Sequence, residues 1–287
     1  MTTVCSVGFG EAAQAFVAGW HAAGAAVSAF DVKTGDPSTR EAKRADYAGH
    51  GVRGAETLGD ALAGGELAFS LVTADQAETA ARQAAEQNLN AALWLDCNSC
   101  APGTKRRAAE AIEAASGRYV DVAVMAPVYP KRHAVPLLLS GPHAAVAAEA
   151  LAALGMRPRV VGEDVGQAST IKMLRSVMIK GTEALFAECF LAAQKAGVLD
   201  AVLGSLSGSN PDVAWEKQGS YTLERMTVHG ERRAAEMREV ARTLADLDVP
   251  NGLTEATVQW QARLGQLGVE PGEDVLVERL VRVLEAL

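Results

Sequence analysis

Aromatic side chains make up only 5% of this 287-residue chain, so its core must be built from Ala, Leu and Val rather than from rings. Cysteine is scarce as well. Four residues imply no disulfide framework and argue for a reducing compartment. Basic side chains are outnumbered, 27 Lys and Arg against 35 Asp and Glu, and the net charge of −8 argues against nucleic acid or an anionic membrane as partner. No apolar run approaches the ~20 residues that cross a bilayer. The opening MTTVCSVGFG lacks the basic and apolar regions of a signal peptide and enters a strand at once. These exclusions predict a cytoplasmic α/β protein that acts on a small molecule. With 49% hydrophobic and 22% charged residues the composition is ordinary for a globular chain, and the length predicts two domains.

The N-terminus carries the first positive signal. Residues 3–7 (TVCSV) read as a buried strand, followed directly by Gly8-Phe9-Gly10-Glu11-Ala12-Ala13. An alanine-rich helix then runs from Glu11 to about Ala23 and stops at Gly24, and a second strand, Ala26–Phe30, ends in Asp31. This is a dinucleotide-binding fingerprint with Ala13 in the place of the third glycine. Gly8 permits the tight turn, Gly10 lets backbone approach a pyrophosphate, and the helix start offers free N–H groups to the phosphates. Asp31 is placed to accept hydrogen bonds from the adenosine ribose and to repel a 2′-phosphate, which favours NAD. Lys33, Arg40, Lys43 and Arg44 lie nearby; most read as solvated helix charges, and NADP is the alternative they would serve.

Strands and helices keep alternating. A short strand is expected at 51–53 and a short helix at 57–63. Strands follow at 67–72, 91–95, 119–124, 135–140 and 157–161, with helices from after the loop Thr73-Ala74-Asp75 to about 86, at 102–116 and at 144–154. Such alternation predicts a mostly parallel, doubly wound Rossmann-type sheet, with ligands beyond the carboxyl ends of its strands. Gly8–Gly10, Asp31, Thr73 and Asn98 then share one edge. The nucleotide domain is expected over 1–163 and a helical substrate and dimerisation domain over 164–287, with helices at 223–247, 253–267 and 274–287. Gly204–Asp212 (GSLSGSNPD) is expected to be a loop.

A long proline-free stretch, Gly166–Val198, joins the two as a single expected helix, apolar around most of its circumference. Ser169, Lys172 and Ser176 break that rule on one track, with Arg175 beside them. A lysine in such surroundings either snorkels out to solvent or sits in a polar cleft, and at the seam between two domains the expected place is the interdomain cleft. The apolar sides of this helix exceed what one small domain covers, so a homodimer is expected.

Other clusters are less specific. Cys97-Asn98-Ser99-Cys100 is a CxxC without the further ligands of a zinc site, and it reads as small buried residues beside the cofactor loop. Tyr129–His133 and the turn carrying His229, Arg232 and Arg233 fit either anion binding or exposed charge equally well.

Taken together, the fingerprint, the strand-end Asp31, the Asp-Cys-Asn-Ser loop and the lysine near the start of a long helix resemble the β-hydroxyacid dehydrogenases. These include the 3-hydroxyisobutyrate and 6-phosphogluconate dehydrogenases. The family's lysine motif corresponds to Gly166–Ser176, with Lys172 kept and Arg175 and Ser176 in place of two asparagines. Its D-x-S-T cofactor loop corresponds to Asp96–Ser99, and its substrate loop D-x-P-V-S-G-G to Asp121–Pro127. The latter puts Met125 where the family has its serine, and Pro127, which has no N–H, where it has a glycine. The resemblance implies an NAD(P)-dependent oxidoreductase that interconverts a hydroxyl and a carbonyl on a small anionic substrate. Lys172 would transfer the proton, and Arg175, Ser176 and Met125 would meet the substrate. Two rivals stand beside it. Imine reductases are similar in architecture but usually carry Asp or Tyr at the lysine position, and the lost motif residues leave room for a non-catalytic dinucleotide sensor.

Overall fold

A computed structural model describes every residue from Met1 to Leu287. The chain divides into two compact units, Met1–Lys172 and Met173–Leu287.

The first unit is a sheet of eight strands in the order β3-β2-β1-β4-β5-β6-β7-β8. In chain order its elements are β1 (Thr3–Val7), α1 (Glu11–Ala22), β2 (Ala26–Phe30), α2 (Arg40–Gly49) and β3 (Arg53–Gly54). Then come α3 (Leu58–Leu62), β4 (Leu67–Ser70), α4 (Ala77–Ala85), β5 (Leu93–Asp96) and α5 (Pro102–Ala114). The unit closes with β6 (Arg118–Val124), β7 (Pro136–Ser140), α6 (Ala144–Ala153), β8 (Arg157–Gly162) and the first residues of α7 (Gln167–Lys195). Strands β4 (LAFS) and β5 (LWLD) are buried along their whole length, as expected of central strands covered on both faces. One face packs against Phe16 and Trp20 of α1 and Ala147 and Leu151 of α6. The other packs against Ala81 and Ala84 of α4 and Ala108 and Ile112 of α5. Helices on both faces make the sheet doubly wound. Strands β7 and β8 run opposite to the other six. β7 is antiparallel to β6 because the connection between them, residues 125–135, is too short to hold a crossover helix, and β8 pairs parallel with β7.

The second unit is all helix: the rest of α7, then α8 (Leu199–Ser209), α9 (Trp215–Asp246), α10 (Gly252–Gly265) and α11 (Leu276–Ala286). Phe186, Phe190, Leu223, Met226, Leu264 and Leu280 form its core. Two expectations are corrected here. Gly204–Ser209 is not loop but the last part of α8. Leu203, with Leu206 beside it, packs into this core, and that packing outweighs the weak helix propensity of three serines and two glycines. Asn210 and Pro211 then stop the helix. Helix α9 also begins at Trp215, eight residues earlier than its apolar spacing indicated, with Trp215 packed beside Phe186. No helix is long and apolar enough to cross a membrane.

Candidate functional site

The β1–α1 turn shows why its glycines are required. Gly8 has φ +88°, and a Cβ there would stand 2.5 Å from the Leu71 carbonyl oxygen at the end of β4. Gly10 differs: a Cβ on it would meet nothing within 4 Å, so the space above the turn is open. No side chain caps α1, which leaves the first-turn amides of Glu11, Ala12 and Ala13 facing that space without an N-cap acceptor. Ala13 is fully buried against the sheet, consistent with its place as the third small residue of the fingerprint. The turn therefore fits the diphosphate of a dinucleotide, which would lie on these amides.

Asp31 sits at the carboxyl end of β2, beside the same turn. Its Oδ2 accepts the Phe9 amide at 2.8 Å and its Oδ1 accepts the Lys33 amide at 3.0 Å. Two backbone donors thus fix the carboxylate at the lip of the fingerprint. The Phe9 ring turns inward against Tyr47, 5.1 Å between centroids, so only its backbone belongs to the turn. Most of the four nearby cations read as solvated charges, and Lys43 is an exception: it is buried and donates to the Phe9 carbonyl at 2.8 Å and to Asp46 at 2.7 Å. Arg40 braces the next loop through the carbonyls of Thr34 and Gly35, and Arg44 pairs with Glu41 and Glu56. Lys33 is the one of the four that stays exposed without such a brace.

At the ends of β4 and β5 the loops are held by Asn98. Its Oδ1 accepts the Val72 amide, and its Nδ2 donates to Ser70 Oγ and to Asp96 Oδ1. The side chain of Asn98 is therefore spent inside the protein, pinning the loop that carries the exposed Thr73. The next residue, Ser99, is where the helix arrives: Lys172 Nζ donates to Ser99 Oγ at 2.5 Å. Asp31 follows β2 and Asn98 follows β5, parallel strands of one sheet with β1 and β4 between them, so this lysine ends at the same carboxyl edge of the sheet as the fingerprint. Arg175 and Ser176 lie three and four residues further along α7, the first exposed and the second buried. Met125 is half-buried, packed against Ala168 with Ala123 and Leu138.

Beneath Lys172 lies a charge cluster that sequence reasoning missed. Lys105, Asp96 and Asp121 are all fully buried. Lys105 Nζ donates to the Asp96 carbonyl at 2.6 Å and lies 2.9 Å from Asp96 Oδ1 and 3.4 Å from Asp121 Oδ1. Tyr119 donates to Asp96 Oδ2 at 2.6 Å. Burial alone would pull the Lys105 ammonium towards neutrality, but the carboxylates, Asp96 foremost, outweigh it and hold its pKa well above the ordinary value. Cys97 and Cys100 are buried beside this cluster. Burial pushes the Cys97 thiol up to about 12, which leaves no thiolate for redox or metal chemistry near neutrality.

The two remaining clusters are largely internal. In the β6–β7 connection Tyr129 to Arg132 are exposed, while the His133 ring packs against Gly19 of α1. In the second unit Arg233 is buried on Glu183, which also accepts from Gln261 at 3.0 Å, and Arg232 pairs with Glu236. Lys180 reaches the same Glu236 at 2.6 Å.

Residues 193–264 match a family model described as a domain of unknown function, DUF1932. Over 150 residues the chain is 29% identical to an uncharacterized 28.5 kDa protein of Methanothermus fervidus, a match spanning 52% of this chain and 57% of that one. A conserved hypothetical protein of Sinorhizobium meliloti is 35% identical over 100% of this chain and 97% of its own, with a TM-score of 0.78. The conserved protein MTH1747, described as structurally similar to 3-hydroxyacid dehydrogenases, is 30% identical over 92% and 97%, with a TM-score of 0.72. The 3-hydroxyisobutyrate dehydrogenase of Mycobacterium tuberculosis, solved with L-serine, shares the fold over 99% of both chains at 15% identity and a TM-score of 0.74. An imine reductase of Myxococcus stipitatus shares it less closely, at 18% identity over 98% of both chains and a TM-score of 0.59.

Proposed function

The chain belongs to the β-hydroxyacid dehydrogenase superfamily, as a divergent branch, and on that premise we propose that it interconverts a hydroxyl and a carbonyl on a small anionic hydroxy acid with a nicotinamide cofactor. One observation carries this reading: a lysine amine 2.5 Å from Ser99, at the sheet edge where the fingerprint opens. The cofactor would supply hydride acceptance or donation. Lys172 takes the hydroxyl proton in oxidation and returns it to the carbonyl oxygen in reduction. Ser99 Oγ sets the direction of the amine. Arg175 and Ser176, on the next turn of α7, are the groups proposed for the substrate's anionic end, with Met125 as an apolar contact. Hydroxy acids, polyols and aldehydes screened with both cofactors for a change in nicotinamide absorbance test this. Tight cofactor binding with no turnover across that panel would instead mark a dinucleotide sensor.

NAD is the proposed cofactor. The Asp31 carboxylate is held at the turn by two amides, and three of the four nearby cations are engaged with backbone or with acids. Asp31→Ser removes the charge that repels a 2′-phosphate, so the ratio of kcat/KM for NAD over NADP is expected to narrow or reverse. A wild-type protein with better kcat/KM on NADP would contradict this assignment and direct attention to Lys33.

A homodimer is proposed as well. Leu174, Met178 and Leu185 form an apolar stripe along one side of α7, and Met178 and Leu185 are 69% and 64% exposed. A second copy covering the stripe would give twice the chain mass by light scattering at micromolar concentration. A monomer mass alone would argue against it.

A further inference from the structure

The start of α7 is held from below by side chains of the sheet. Asp121, on β6, accepts the Ser169 amide on Oδ2 at 2.9 Å, and Ser140, on β7, accepts the Ala168 amide at 2.9 Å. Ser140 Oγ also lies 3.2 Å from Asp121 Oδ2 and donates to it. Two orphan donors of the helix's first turn are thus satisfied by groups 48 and 28 residues earlier, and a carboxylate faces the positive end of the helix dipole. Ser169 is one turn before Lys172.

Two routes therefore converge on this lysine. Its backbone is set through the Ser169 amide on Asp121. Its amine is set through Ser99, on a loop whose Asn98 amide and side chain are both received by Asp96 Oδ1. Lys105 joins them, touching Asp96 at 2.9 Å and Asp121 at 3.4 Å. Asp121 Oδ1 has no hydrogen-bond donor, so this carboxylate is held by the Ser169 amide and the Ser140 hydroxyl on Oδ2 and by the charge of Lys105. A helix start needs only an acceptor. A fully buried charge at that point is costly, and its effect is to fix the turn that aims Lys172.

We propose that Asp121 is a positioning residue for Lys172, holding the first turn of α7 so that the amine reaches Ser99. Its consequence for turnover rests on the dehydrogenase reading; its consequence for Lys172 does not. The test is Asp121→Asn, which keeps one acceptor and removes the charge. Acetylation of each lysine by acetic anhydride, followed by mass spectrometry, reads Lys172 without any substrate. Labelling of Lys172 is expected to rise about fivefold, the size of one hydrogen bond, while exposed Lys33 and Lys131 stay unchanged. In turnover, kcat should fall roughly ten- to a hundredfold with cofactor affinity unchanged, and Asp121→Asn should add nothing in a Lys172→Ala background. Should Asp121→Asn fail to fold, Ser140→Ala takes its place, with smaller changes of the same sign. Unchanged Lys172 labelling in whichever variant folds, or a further loss on top of Lys172→Ala, overturns the proposal. Altered labelling in a protein that turns over no substrate leaves Asp121 as a positioning residue and removes the dehydrogenase reading instead.

Discussion

Lys172→Ala is expected to lower kcat by roughly 10²–10⁴-fold, the usual contribution of a general acid–base. The folded protein should bind its cofactor as before, because the fingerprint turn and Asp31 reach none of their hydrogen bonds through Lys172. The loss should therefore appear in kcat, not in the Kd of the nicotinamide cofactor. Arginine separates chemistry from charge. Lys172→Arg keeps a donor for Ser99 and a positive charge at the sheet edge, yet a guanidinium stays protonated at any working pH and takes no proton from a hydroxyl. It should fail nearly as badly as alanine in the oxidation direction. Were the lysine only structural, arginine would restore most of what alanine loses, thermal stability included. Near-normal turnover in a folded Lys172→Arg protein would remove Lys172 from the mechanism, and with it the main support for hydroxy-acid chemistry.

What the sequence makes legible here is what local pattern encodes. Gly8, Gly10 and Asp31 stand within one β-α-β unit, where strand, turn and helix follow each other with no long-range information needed, and the structure has them side by side. The two-unit architecture follows from strand–helix alternation giving way to helix alone. Lys172 stood out because it interrupts an apolar helix. Its partner Ser99 did not, since 73 residues separate the two and only the folded sheet brings them together. Asp121 was visible as the first residue of a substrate loop, yet its contact with Ser169 spans 48 residues and leaves no periodic trace. Lys43 was not set apart from the other nearby cations, for a related reason. A charged residue on a short polar helix reads as solvated, and nothing local shows that its amine reaches back 34 residues to the Phe9 carbonyl. The serines of Gly204–Ser209 misled in the opposite sense, because tertiary packing outweighed their propensity.

Lys105→Met should be strongly destabilising to the first unit. The side chains are similar in length, so little cavity is made and the effect is electrostatic. Asp96 and Asp121 would remain fully buried with no cation between them. Removing one partner of a buried ion pair typically costs about 3–5 kcal/mol. For a unit of this size that lowers Tm by very roughly 6–20 °C, at 2–4 °C per kcal/mol. The pH dependence gives a sharper signature than the size. In the wild type the Lys105 ammonium is held well above its ordinary pKa, so its contribution is fully present throughout neutral and acid pH and is lost only in strong alkali. Without it, two buried carboxylates share one enclosure, and burial and mutual repulsion both disfavour the doubly charged pair. The folded variant then holds protons that the unfolded chain gives up, and its stability falls as pH rises. The stability gap between wild type and variant should therefore widen from pH 5 to pH 8, measured by urea unfolding at each pH. Replacing Asp96 by Asn in the same variant should recover part of the loss at pH 8, since one carboxylate alone has no like charge beside it. A gap that stays constant across this range, or a Tm within two degrees of wild type, would show that the cluster tolerates its charges without Lys105, contrary to the geometry that encloses them.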